Sequence, residues 1–94
     1  MTKGKNIIVV AAYGDIASRM LPVFYAQGAT LTLAGRDPDK LKMVASQFDP
    51  KRVKIVVADA TKPAQMKKVL KVSAAFGLID AVVVAAGSHA VVSL

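Results

Sequence analysis

Apolar and polar positions follow two different rhythms along this chain. Residues 6–12, 29–34, 53–58 and 79–86 are short, rich in β-branched side chains and nearly continuous in their apolarity, the pattern of parallel strands covered on both faces. Between them, residues 15–27, 38–48 and 63–75 space their apolar side chains three and four apart, as helices with one buried stripe do. In the second of these Asp37 is placed to cap and Pro38 to open the first turn, with Leu41, Val44, Ala45 and Phe48 on one side. In the third, Thr61 precedes Pro63, and Met66, Val69, Leu70 and Ser73 recur at helical spacing. Gly28 and Gly77 fall just after helices, where a left-handed stop is easiest for glycine. Pro22 interrupts the first helix and predicts either a kink there or a later start.

Strands and helices in strict alternation, joined by right-handed crossovers, predict one α/β domain over residues 1–94. Its architecture is a three-layer, doubly wound parallel sheet of strand order 3-2-1-4, with helices one and two on one face and helix three on the other. The winding reverses between strands one and four, and open sheets of this kind take ligands at the C-terminal ends of those strands. The turn from strand one into helix one lies there. Its small residues, Ala11-Ala12-Tyr13-Gly14, let backbone N–H groups approach a phosphate at a helix N-terminus. Ala11, Gly14 and Ala17 occupy a Gly-x-x-Gly-x-x-Gly spacing of which only Gly14 is glycine. A methyl group at Ala11 narrows the approach or demands φ values that alanine resists, whereas alanine is tolerated at position 17, where helix and strand pack closely.

Composition narrows the chemistry. With 54% hydrophobic residues the 94-residue chain can build a core, and it has no cysteine, which excludes disulfides and thiolate metal sites and fits a cytoplasmic location. No apolar run reaches 18 residues, so no membrane span is expected. The basic start Thr2-Lys3-Gly4-Lys5 before Ile7–Ala12 loosely imitates a signal peptide, but the apolar stretch is short and serves better as a buried strand. The net charge of +7, from 13 lysines and arginines against six aspartates, favours anionic ligands. Nine of the basic residues are spread from Lys40 to Lys71 with little aromatic interleaving, which does not point to nucleic acid.

Five segments, in order, resemble the N-terminal NAD(P)-binding half of the short-chain dehydrogenase/reductase family. They are the Ala11–Ala17 turn, Gly28-Ala29 before strand two, Ala34-Gly35-Arg36-Asp37 after it, Ala58-Asp59-Ala60-Thr61 after strand three, and Phe76-Gly77-Leu78-Ile79-Asp80 leading into Val84-Ala85-Ala86-Gly87. The resemblance covers nearly the whole chain and implies a Rossmann-like fold with a dinucleotide cofactor. It implies cofactor contacts from Ala11, Tyr13, Gly14, Asp15 and Ile16 at the diphosphate, with Asp15 also readable as a helix cap whose charge opposes a pyrophosphate. It places Asp59 and Ala60 at the adenine ring, Asp59 being equally readable as a turn acid. Ala85, Ala86 and Gly87 correspond to a family Asn-Ala-Gly segment beside the cofactor ribose, with the asparagine absent. Where an acid usually takes the ribose 2′-hydroxyl, Gly35 stands with Arg36 next to it. A guanidinium suits a 2′-phosphate by charge and bidentate geometry, which favours NADP over NAD.

Catalysis in the family uses a Tyr-x-x-x-Lys pair, whose lysine lowers the tyrosine pKa. Here Tyr13 is followed four residues on by Ala17 and Tyr25 by Ala29. No catalytic residue and no metal-ligating set is assigned, and oxidoreductase activity is not expected of these residues alone. His89 has no acidic neighbour in sequence and reads as a tail histidine. An alternative reading keeps the fold without the cofactor, as a scaffold or oligomerising module whose glycine motif has decayed at Ala11 and Ala17. Either way strand four, with Val82-Val83-Val84, is expected at an open edge, pairing with a second copy through that strand or through the tail Ala90–Leu94.

Overall fold

The computed structural model describes residues 4–12, 15–59, 61–86 and 89–93; for Asp15, Ile16, Ala85, Ala86 and residues 89–93 the description is of the backbone. Eight elements follow in order: β1 (Asn6–Val10), α1 (Asp15–Ala26), β2 (Thr30–Gly35), α2 (Pro38–Ala45), β3 (Val53–Val57), α3 (Pro63–Ala74), β4 (Ala81–Ala86) and β5 (His89–Ser93). The five strands form one sheet of order β3-β2-β1-β4-β5. β1 pairs in parallel with β2 and β4, and β2 with β3, so the expected parallel order 3-2-1-4 is present.

The fifth strand corrects an expectation. β5 runs antiparallel to β4 with Val83 opposite Val92 and Ala86 opposite His89. Strand four therefore has a neighbour on each side and is not an open edge, and His89 belongs to a strand rather than to a tail. A hairpin satisfies the outer N–H and C=O groups of β4 within the chain itself.

Two apolar layers hold the sheet. On one face Ile7, Val9, Leu31, Leu33, Val53 and Val83 pack against Ala17 and Leu21 of α1 and Leu41 of α2. On the other, Ile8, Val10, Ala34, Val56 and Ala58 pack against Val69 of α3. The side chains alternate because successive strand residues point to opposite faces. On α3 the buried stripe is Met66, Val69 and Ser73, at spacings of three and four. Leu70, expected on that stripe, is 42% exposed, since one residue further round the helix turns it about 100° away.

Helix ends follow local chemistry. The Asp37 side chain accepts from the N–H groups of Asp39 and Lys40, both at 3.1 Å, and Pro38 opens α2. The first helix runs from Asp15 through Pro22 without starting later. Its C-terminal end is closed by Arg52, whose guanidinium stands 3.8 Å above the Tyr25 ring and donates to the carbonyls of Tyr25 (2.6 Å) and Ala29 (3.0 Å). A cation there also meets the negative end of the helix dipole. Gly28, just after α1, takes the left-handed φ of +87° expected of a glycine stop.

At the N-terminal end of the sheet a polar node is sealed in. Asn6, 3% exposed, donates from Nδ2 to the carbonyls of Ser73 (2.8 Å) and Gly77 (3.2 Å). Its Oδ1 accepts from the hydroxyls of Thr30 (3.1 Å) and Ser73 (3.4 Å). This end is braced on the side opposite the ligand crevice.

Candidate functional site

The C-terminal ends of the four parallel strands converge on one edge of the sheet. After β1 the chain turns at Ala11, which has a φ of +57°. That left-handed conformation is the one a glycine adopts without cost and an alanine resists. The turn is tied to its neighbour by the Ala12 N–H donating to the Ala34 carbonyl at 3.2 Å. Ala12 and Ala17 are both buried, at 0% and 1% exposure, so the small residues bring α1 close against the sheet. The first helical residue is Asp15, and the α1 N-terminus thereby opens onto the crevice. Tyr13 and Gly14 lie outside the described residues.

The second wall comes from β2 and β3. Gly35 is buried and pairs with Val57, and its carbonyl accepts from the Ala58 N–H at 2.8 Å. Arg36 follows immediately and is exposed. Asp59 lies one residue beyond Ala58, so the register that aligns β2 with β3 also brings Arg36 and Asp59 to one rim. The Asp59 carboxyl is held below its ordinary value by the Thr61 hydroxyl, then by the Thr61 N–H, with the charges of Arg36 and Lys62 adding to the effect. Thr61 donates to Asp59 Oδ1 from its N–H at 2.9 Å and its hydroxyl at 2.7 Å. The Asp59 N–H donates to Gln65 Oε1 at 2.6 Å.

Of the residues singled out from sequence, the structure brings together Ala11, Asp15, Ile16, Arg36, Asp59, Ala85 and Ala86 at the strand C-termini. Ala60 and Gly87, like Tyr13 and Gly14, lie outside the described residues. Gln65 was not foreseen. Its signal was its place three residues after Lys62, the position from which a Gln side chain folds back over a helix start. Thr61 was noted only as preceding a helix, although Asp-x-Thr spacing is that of a side-chain turn.

Two depressions among the described residues lie away from this rim. One sits between α1 and α2, against Leu21, Pro22, Val44 and Phe48. The other, of about 390 Å³, runs under the end of α2 along Phe48, Pro50, Val53 and Ile55. Neither touches Arg36 or Asp59. Among the described residues no three His, Cys, Asp or Glu side chains gather as a metal site would require, and no helix is long and apolar enough to cross a membrane.

A sequence profile described as short chain dehydrogenase matches residues 5–94. The chain belongs to this family. An uncharacterized oxidoreductase of Staphylococcus aureus (strain MRSA252) is 34% identical over 84 residues, covering 88% of this chain and 36% of that protein. The short-chain dehydrogenase fold is shared with the apo-form crystal structure of a Caenorhabditis elegans glucose dehydrogenase, at a TM-score of 0.81 and 26% identity over 94% of this chain and 40% of that one. A short-chain dehydrogenase/reductase of unknown function from the same organism, solved with cofactor, gives a TM-score of 0.77 at 25% identity, covering 86% of this chain and 32% of that one. This member thus spans about a third of the length of the first relative.

Proposed function

We propose that this chain forms the dinucleotide-binding part of a short-chain dehydrogenase/reductase and that it prefers NADP to NAD. One observation carries the preference. The end of β2 presents buried Gly35 where an acid would take a ribose 2′-hydroxyl, and exposed Arg36 stands next to it on the crevice rim. A guanidinium there attracts a 2′-phosphate. The turn fits a dinucleotide as well. Ala11 already holds the left-handed backbone of a glycine turn at the N-terminus of α1, where N–H groups and the helix dipole favour a pyrophosphate.

In this reading Ala11, Tyr13, Gly14, Asp15 and Ile16 surround the diphosphate, Arg36 the 2′-phosphate, Asp59 and Ala60 the adenine, and Ala85, Ala86 and Gly87 the second ribose. That a Caenorhabditis elegans short-chain dehydrogenase/reductase of the same fold was solved with cofactor supports a cofactor-binding role. A bound nicotinamide dinucleotide supplies hydride transfer; the residues of this chain bind and orient it. No Tyr-x-x-x-Lys pair occurs within the 94 residues, so proton exchange with a substrate is not assigned to them. The lack of cysteine supports a reducing, cytoplasmic setting. With β4 paired on both sides, association between copies falls to the outer edge of β5.

Calorimetric titration of the full chain with NADP and with NAD tests the reading. Saturable binding of both, tighter for NADP, is expected, and Gly14→Val should abolish it while the far-ultraviolet circular dichroism stays unchanged. Failure of both dinucleotides to bind would overturn the assignment and leave a cofactor-free scaffold.

A further inference from the structure

β3 is the outermost strand on its side of the sheet. The Leu31 N–H donates to the Arg52 carbonyl and the Ala58 N–H to the Gly35 carbonyl, each at 2.8 Å. In a parallel ladder these two bonds fix which backbone groups face inward. Lys54 and Val56 turn theirs toward β2, whereas Ile55 and Val57 turn theirs outward. The Val53 N–H is closed by the Asp49 carbonyl at 3.1 Å, so the edge opens beyond it. Among the described residues nothing meets the outward N–H and C=O groups of Ile55 and Val57. The side chains of this edge divide between two faces. Val53 and Ile55 lie on the α2 side, where the groove of about 390 Å³ is lined by Lys42, Ala45, Phe48, Val53 and Ile55. Val57, next in that row, is exposed. Lys54 lies on the other side, its ammonium 4.8 Å from the centre of the Phe76 ring.

We propose that the outer edge of β3 and this groove take an extended acidic segment of another protein, added to the sheet as a further strand. An extended chain presents N–H and C=O groups at the spacing of Ile55 and Val57. Its alternate side chains fall on opposite faces, apolar ones over the groove against Phe48 and Ile55, acidic ones beside Lys54. Charge selects the partner. Lys42, Lys51 and Lys54 are exposed around the edge, and the acid among them, Asp49, already accepts the Lys51 N–H on its Oδ1 at 2.9 Å. Lysines on an edge strand hold identical sheets apart, and the net charge of +7 adds to that repulsion between copies. The same charges draw in an acidic strand. Neither Arg36 nor Asp59 lines the groove, so this surface is separate from the dinucleotide crevice.

The probe is the synthetic peptide acetyl-Asp-Val-Asp-Leu-Asp-Val-Asp-amide, titrated into the full chain by calorimetry, with amide exchange followed residue by residue by NMR. Saturable binding that weakens with added salt is expected, and at saturation exchange at Ile55 and Val57 should slow by about tenfold or more. Val57→Pro deletes one outward N–H and spares the ladder to β2, and edge strands tolerate proline. It should weaken the peptide by about five- to tenfold, the range of one lost hydrogen bond, whereas Val57→Ala, which keeps the donor, should stay within about twofold. Lys54→Glu should weaken the peptide by about fivefold, and a peptide with lysine in place of each aspartate should not bind. Absence of binding, binding without slowed exchange at Ile55 and Val57, or equal binding of the lysine peptide would overturn the proposal. So would a folded Val57→Pro variant that binds as tightly as the unmodified chain. Dimerisation of the free chain in sedimentation, with those two amides already protected, would give the edge to a second copy and overturn it too. Each of these outcomes leaves the dinucleotide reading intact.

Discussion

The Asn6 carboxamide donates to the Ser73 carbonyl at 2.8 Å and receives the Ser73 hydroxyl at 3.4 Å, joining the first residue of β1 to the last turn of α3. Both residues are buried, at 3% and 0% exposure. The Asn6 main chain is tied in turn to Asp80 ahead of β4: the Asn6 N–H donates to Asp80 Oδ2 and the Asp80 N–H to the Asn6 carbonyl, each at 2.8 Å. Asn6→Leu removes the side-chain half and leaves the carbonyls of Ser73 and Gly77 without their donor. A loss of about 2–4 kcal/mol in stability is expected, read from the urea midpoint. A loss below about 0.5 kcal/mol, the range of an ordinary surface substitution, would show that the node is not a brace.

Thr32 offers the opposite case. It is 0% exposed in the middle of β2, and its hydroxyl has no hydrogen-bond partner among the described residues. Thr32→Val keeps the shape and removes the unpaired polar atom, so the chain should be unchanged or more stable by about 1 kcal/mol. Thermal unfolding compares the two, and a clear destabilisation by valine would mean that the hydroxyl is satisfied in solution.

Ala11 at a φ of +57° is a backbone position that favours glycine. Ala11→Gly trades relief of the left-handed strain against greater freedom of the unfolded chain, for a net gain of about 0.5–1 kcal/mol. Ala11→Val should lose more than that, because a β-branched side chain tolerates this region least. In calorimetry Ala11→Gly should also bind the dinucleotide more tightly. Weaker binding than the unmodified chain would mean that the methyl group is part of the contact.

Arg36→Ala should weaken NADP by about 1–3 kcal/mol, the scale of a charge-assisted hydrogen bond, and NAD much less. The check is the ratio of the two dissociation constants at fixed salt. Equal losses would show that Arg36 acts through general charge alone.

Asp59 sets a pH dependence whose sign follows from its lowered value. A carboxyl more acidic in the folded state than its ordinary 3.8 favours folding when ionised. Its contribution is complete above the unfolded value and fades as pH falls through the folded one. The stability difference between the unmodified chain and Asp59→Asn should therefore be constant from neutral pH to about pH 5 and shrink below about pH 4. Urea unfolding across that range measures it, and a difference that grows on acidification would contradict the assignment.

The rhythm of apolar runs was enough to predict seven of the elements to within a few residues, and the parallel order of four strands, because a strand buried on both faces and a helix buried along one stripe leave different spacings in a sequence. Asp37, Pro38 and Gly28 marked their helix ends by local chemistry that needs no tertiary context. The small residues at Ala11, Ala17 and Gly35 likewise pointed to the crevice. What tertiary structure alone decided involves residues far apart in the chain. Asn6 and Ser73 lie 67 positions apart, and nothing near either one announces the other. Of Leu70 and Ser73, both expected on the buried stripe of α3, Ser73 is buried and Leu70 is 42% exposed, because helix rotation, not hydropathy, chooses the face that meets the sheet. β5 formed because pairing with β4 satisfies backbone groups that an apolar tail would leave open. Register between β2 and β3 brought Arg36 beside Asp59, a neighbourhood that depends on which strand ends lie next to each other in the folded sheet.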